Sequence, residues 1–321
     1  MRSFLLIFLL GLVLSFYSCG ERLTPSFQVV ELNTQGPIRG AYFFDEAHGI
    51  VAGGERFSET ILQSTQDGGE TWRPIAFEPV FNQTLFDIDF WDEQRGLACG
   101  IGGKYLFTKD GGATWRVIQS QFWRQMQGIA FASANNVFAV GGTGYSFGIM
   151  ERSLNGGQNW ALADTFDFEL RDIVFIDAAI GFACGYGVIL KTDNGGDTWS
   201  FTEARREFFS ALCFPTPQIG YAVGRTGTIM KTTDQGETWE RLRNGNLATN
   251  PAHRYHDVSF IDAENGYIVG DKGIVMRTQD GGQSWQKIKL ESKTDWWQVQ
   301  MLAVGKSVLC GSEGKILWLD E

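Results

Sequence analysis

One eight-residue pattern occurs six times in this chain, and no other feature restricts its fold as much. The copies read [Ser/Thr]-x-[Asp/Asn]-x-Gly-x-x-Trp and end on Trp72, Trp115, Trp160, Trp199, Trp239 and Trp285. Successive tryptophans are 43, 45, 39, 40 and 46 residues apart. That is the period of a four-stranded propeller blade, about 40–50 residues. The residue types have a mechanical explanation. Asp or Asn accepts hydrogen bonds from nearby backbone N–H groups and holds a tight turn. The glycine permits a positive φ, and the tryptophan ring anchors the hairpin by burial. These side chains are therefore read as turn formers rather than as chemistry.

Each box lies within a longer unit. A strand such as Asp172–Asp177 precedes a glycine-flanked strand such as Gly181–Gly185, then one such as Val188–Thr192. The box makes the next turn, and its tryptophan starts a fourth strand. Glycine-flanked second strands occur near Val51, Ala98, Ala139, Ala183, Ala222, Ile268 and Leu309. The C-terminal Gly314–Asp320 aligns with Gly103–Lys109, and the N-terminal Phe27–Leu32 with the fourth strand Trp115–Ser120. The expectation is an all-β, seven-bladed β-propeller of four-stranded antiparallel blades, closed by pairing the N-terminal strand with the C-terminal blade.

Composition agrees with short strands and tight turns, with 40 Gly, 25 Phe, 11 Trp and only 7 Pro. The formal charge of −10 argues against a nucleic-acid partner, which needs a cationic surface. Met1-Arg2-Ser3 followed by the apolar run Phe4–Phe16 is too short to span a bilayer and reads as a signal peptide. Ser18-Cys19-Gly20 resembles a bacterial lipoprotein cleavage site, with Phe16 where Leu is usual. The chain thus divides into a signal peptide (1–18), a tether lipid-anchored through Cys19 (19–26) and a propeller (27–321). The implied location is the cell envelope, facing the periplasm or the exterior. Cys99, Cys184 and Cys310 stand where another unit has Val223, so they read, with Cys213, as core residues rather than disulfide partners. Neither metal-ligand spacing nor any cofactor motif is found.

The box is the bacterial neuraminidase repeat, or Asp-box. From about Phe27 to Asp320 the chain resembles the propellers of the photosystem II assembly-factor family. Those share the glycine-flanked second strand and the Lys-Thr-x-Asp-x-Gly-x-Thr-Trp box, as in Lys231-Thr232 to Trp239. The resemblance implies a non-catalytic protein-binding scaffold or assembly factor for a membrane-associated complex, with an arginine patch on one face. Sialidases also carry Asp-boxes, so a carbohydrate-binding propeller or a glycoside hydrolase is the alternative. The Phe/Tyr-Arg-Ile-Pro motif of sialidases is absent, Trp72-Arg73-Pro74-Ile75 having the letters in another order. Asp89, Asp92, Asp177 and Asp262 recur at equivalent or turn positions, which favours turn chemistry.

Aligning the units on the second-strand glycine places Arg39, Phe86, Gln127, Arg171, Ser210, His256 and Trp297 at the start of the first strand. Just upstream lie Trp123, Arg124, Arg205, Arg206, Arg254 and Trp296. Arginine and aromatic side chains supply interface hot spots, and arginine grips carboxylates bidentately. The expected partner is an acidic or extended protein segment at one mouth of the channel. Arg39, Trp123, Arg124, Arg171, Arg205, Arg206, Arg254, His256 and Trp297 are its candidate contacts.

Overall fold

The computed structural model describes residues 26–245 and 253–321, all-β apart from three 3-10 turns. Why these residues form strands is plain in the second strand of each unit. Gly96–Gly100 and Gly266–Gly270 are buried at every position. They are central strands covered on both faces, hence continuous apolar runs bounded by glycine rather than alternating ones. The bounding glycines are required by close approach. A Cβ on Gly96 would lie 2.4 Å from the Phe90 ring, and one on Gly185 would lie 2.0 Å from the carbonyl oxygen of Glu169.

The boxes form as their chemistry demands. In the copy Thr108–Trp115, Asp110 Oδ1 accepts from the Thr114 N–H at 2.9 Å and Oδ2 from the Thr114 hydroxyl at 2.5 Å. Thr108 Oγ1 donates to Asp110 Oδ1 at 2.8 Å and accepts from the Gly112 N–H at 3.0 Å. Gly112 sits at φ 88°, where a side chain would be strained. The tryptophan then packs edge-on against the phenylalanine ending its unit's first strand. Trp115 meets Phe90 at 5.9 Å and Trp285 meets Phe260 at 6.0 Å between ring centroids. Asp92, Asp177 and Asp262 cap the turn after the first strand, each accepting two backbone N–H bonds. Cys99, Cys184, Cys213 and Cys310 are all unpaired, and only Cys213 is not fully buried.

The count of seven four-stranded blades is corrected. The described residues order into six sheets, of which four are four-stranded, one is five-stranded and one six-stranded. The six-stranded sheet arises because the strand Ser200–Cys213 runs without a loop from one repeat unit into the next. It pairs with Gly181–Thr192 through its first part and with Gly220–Gly224 through its last. Two units read separately from the sequence therefore share one sheet. The five-stranded sheet gains Phe77–Glu78, which adds in parallel to Trp115–Gln119. The N-terminal strand Ser26–Glu31 pairs antiparallel with Lys315–Asp320, so the sheet holding the C-terminal strands takes its outermost strand from the N-terminus.

The first strands of the units lie side by side about a central channel, and side chains stitch each to the next. Asp87 accepts from the Ile129 N–H at 2.9 Å, Asp172 from Leu212 at 2.7 Å and Asp257 from Val299 at 2.8 Å. Gln298 donates to the Ala41 carbonyl at 2.9 Å. The residues preceding these backbone partners include Gly40, Gly128 and Ala211, small enough to admit the neighbour. A Cβ on Gly128 would lie 3.0 Å from the Asp172 Cα. Asp89 belongs to this stitching, since it accepts from the Phe131 N–H at 3.1 Å. The sequence reading of Asp89 among turn positions is corrected accordingly.

Candidate functional site: an arginine-lined channel mouth

The first strands all enter the channel at the same face, so residues at their starts encircle one mouth. Arg39, Phe86, Arg171, Arg225, His256 and Trp297 are among those lining its cavity, of about 140 Å³. Arg39 lies over the Trp297 ring at 4.1 Å and the Phe86 ring at 5.5 Å. His256 packs on the other part of this wall, 4.2 Å from Trp297 between centroids, and hydrogen-bonds Asp271 through Nε2. Arg171 donates to Gln127 at 3.0 Å and pairs with the buried Glu169 at 2.8 Å. Arg171 and Arg225 also flank the Phe208 ring, at 6.0 and 5.5 Å.

This arrangement leaves cationic capacity facing the cavity. Burial pulls Arg39 down to about 10, partly offset by Glu55, while Arg171 and Arg225 push it further. Burial likewise lowers Arg171, with Glu169 opposing. Burial also lowers His256 and favours the neutral imidazole, while Asp271 opposes the shift. Among the described residues, no carboxylate lies within 4 Å of the Arg39 or Arg225 guanidinium. Arg39 Nε, Arg171 Nε, Ser210 Oγ and Gln298 Oε1 are buried without a hydrogen-bond partner, and all four belong to residues of this wall. Buried polar atoms are nearly always satisfied. A group bearing acceptor oxygens, and able to donate to Gln298, fits these orphans.

Below the arginines the channel narrows onto Asp87, Asp172 and Asp257. Burial raises all three, Asp172 to about 6 and Asp257 to about 7, and the Asp172 charge adds repulsion at Asp87 and Asp257. Values near neutrality suit acid–base chemistry. Here, however, each carboxylate already accepts a backbone N–H from the neighbouring strand.

The sequence-derived candidates separate into groups. Arg39, Arg171, His256 and Trp297 meet at the mouth. Trp123 and Arg124 lie in a different cleft on the same face. Arg254 is two-thirds exposed and 3.9 Å from Asp271, outside the cavity wall. Arg205 bonds back to the Thr202 carbonyl at 3.2 Å and covers Phe201 at 4.8 Å. Arg206 occupies a left-handed bend at φ 66°. Cys19 lies outside the described residues. The sequence reading missed Arg225, which follows the second-strand glycine Gly224; that column also holds Gly54, Asp271 and Ser312.

Comparison with known proteins gives a consistent picture. The family model described as Photosynthesis system II assembly factor YCF48 matches residues 204–317. The Photosystem II assembly lipoprotein Ycf48 of Synechococcus sp. (strain CC9902) is 32% identical over 120 residues, 35% of this chain and 34% of that protein. The match thus spans about a third of that relative's length. YCF48 from Cyanidioschyzon merolae superposes with a TM-score of 0.71 at 20% identity, over 92% of this chain and 98% of that one. A structure of YCF48 bound to D1 peptide gives 0.71 at 19% identity, over 92% and 97%. The WD40 propeller of Doa1 reaches 0.69 at 11% identity, over 93% and 98%, so such likeness is one of fold. The chain is an Asp-box repeat propeller similar to the photosystem II assembly factors.

Proposed function

We propose that this protein is a non-catalytic scaffold or assembly factor for a membrane-associated complex, and that its channel mouth holds an acidic or extended segment of a protein partner. The observation that carries this reading is the cluster of Arg39, Arg171 and Arg225, with two guanidinium nitrogens buried and unpartnered. A carboxylate side chain or chain terminus supplies oxygens for such nitrogens in charge-assisted hydrogen bonds. The cavity size favours a single side chain over an oligosaccharide, because small-molecule sites generally measure about 300–1,000 Å³. The engagement of Asp87, Asp172 and Asp257 with backbone N–H groups speaks against a hydrolase. A relative named as an assembly lipoprotein, and a similar propeller solved with a D1 peptide, support a protein partner. We further propose that residues 1–18 are cleaved and that Cys19 carries a lipid, placing the propeller in the cell envelope. Loss of radiolabelled palmitate from Cys19→Ser, with retention by the wild type, is the expected outcome of metabolic labelling.

The mouth is tested with Arg39→Gln/Arg225→Gln, which removes charges that have no carboxylate partner and so leaves no buried counter-charge. Fluorescein-labelled dodecaglutamate is the probe, read by anisotropy. Each charge-assisted hydrogen bond contributes about 1.5–3 kcal/mol, so the double variant is expected to weaken binding by at least about a hundredfold. Equal affinity for the variant and wild type would remove the mouth as the site.

A further inference from the structure

A second cleft on the mouth face also gathers cations and is not part of the channel. Arg56, Phe57, Lys104, Trp123 and Arg124 are among its lining residues, and no carboxylate is. In a chain of net charge −10, a wall with three cations and no acid is a local reversal of sign. Trp123 is 74% exposed and Phe57 71% exposed, the two most exposed large apolar side chains among the described residues. Phe57 is held at φ 65°, a conformation that costs a bulky residue energy, with its ring turned to solvent beside the Arg56 guanidinium at 4.6 Å. Arginine and tryptophan are the side chains most enriched in interface hot spots. Arg124 lies over the Phe147 ring at 4.9 Å, which fixes its head at the cleft.

The cleft adjoins the mouth. Gln125 lines the cleft and Gln127 lines the mouth, two residues apart across the bulge at the start of the strand Met126–Phe131. At no more than about 3.3 Å per residue this is a step of at most roughly 7 Å, within the reach of two or three residues of an extended peptide. We infer that the cleft is a second subsite for an extended acidic segment, taking the residues that flank the one held in the mouth. The inference rests on the reading of the mouth given above. Two linked subsites raise affinity by making the second contact intramolecular, so an extended segment binds far better than a short one.

The test uses the full chain with two fluorescein-labelled probes, dodecaglutamate and triglutamate, read by anisotropy. Arg56→Gln/Arg124→Gln is expected to weaken dodecaglutamate at least tenfold and to leave triglutamate within twofold. Arg39→Gln/Arg225→Gln is expected to weaken both. Trp123→Ala, an exposed change that does not disturb the fold, is expected to reproduce the first pattern. If the cleft variants leave dodecaglutamate unchanged while the mouth variant weakens it, the second subsite is overturned and the mouth stands. If the cleft variants weaken both probes and the mouth variant neither, the mouth reading falls, and the two-site inference with it. Failure of dodecaglutamate to bind the wild type overturns both.

Discussion

Two kinds of aspartate in this protein have opposite electrostatics, and each kind follows from what surrounds it. Box aspartates are exposed and accept several hydrogen bonds. The side-chain and backbone bonds from Thr238 hold Asp234 down to about 2, and Ser284 does the same for Asp280. Such depressed groups add stability above the ordinary carboxylate range, near 4, that is lost as pH falls toward 2. Channel aspartates behave conversely. Asp257 is raised to about 7, first by burial. Its favourable contribution is therefore complete below about pH 4 and disappears as pH rises toward 7. Asp257→Asn keeps an acceptor for the Val299 N–H without the charge. Its stability relative to the wild type is expected to be greater at pH 8 than at pH 5, measured by denaturant unfolding. An equal difference at both pH values would contradict the assignment. In the boxes, Thr232→Val leaves the Gly236 N–H, now bonded at 2.8 Å, without its acceptor in a buried site. The expected cost is about 1–3 kcal/mol in the same assay.

At the scale of elements, the strand Ser200–Cys213 shows where the sequence was readable and where it was not. The repeat period exposed the units, but nothing in Arg205-Arg206-Glu207 distinguishes a connecting loop from a bent strand. Placing Arg205 and Arg206 just upstream of a first strand put them at the mouth and gave a sheet for every unit. The structure carries the strand through them, with Arg206 absorbing the bend. Arg206→Gly is therefore expected to leave dodecaglutamate affinity within twofold and not to lower the melting temperature, since glycine tolerates the left-handed backbone. The start-of-strand column was legible because it is fixed by the second-strand glycine, and it yielded Arg39, Arg171, His256 and Trp297. Arg225 was not, because it follows that glycine and its column mixes both charges. The stitching between first strands was equally hidden, since Asp87 and Ile129 bond across units 42 residues apart. Gly128→Ala is expected to destabilise the fold by about 1–3 kcal/mol through overpacking against Asp172, and thermal unfolding measures it.

Across the whole molecule, the two ends of the chain meet in one sheet while the arginines gather at one mouth. Ser26 pairs with Asp320 beside Gly68 of the first box, whereas Glu31 pairs with Lys315 next to the turn that holds Ser312. The chain thus enters the propeller at the box face, and the mouth opens on the other. Under the proposed lipidation, a tether from Cys19 approaches the face away from the mouth and leaves the arginines accessible to a partner. Under the proposed function this acidic protein recognises an acidic segment, against the sign of its own net charge. Anisotropy titrations with dodecaglutamate and dodecalysine, at low and high salt, test it most directly. Tight, salt-sensitive binding of dodecaglutamate and weak binding of dodecalysine are expected. Preference for dodecalysine, which a net charge of −10 alone would produce, would rule out an acidic partner at the mouth.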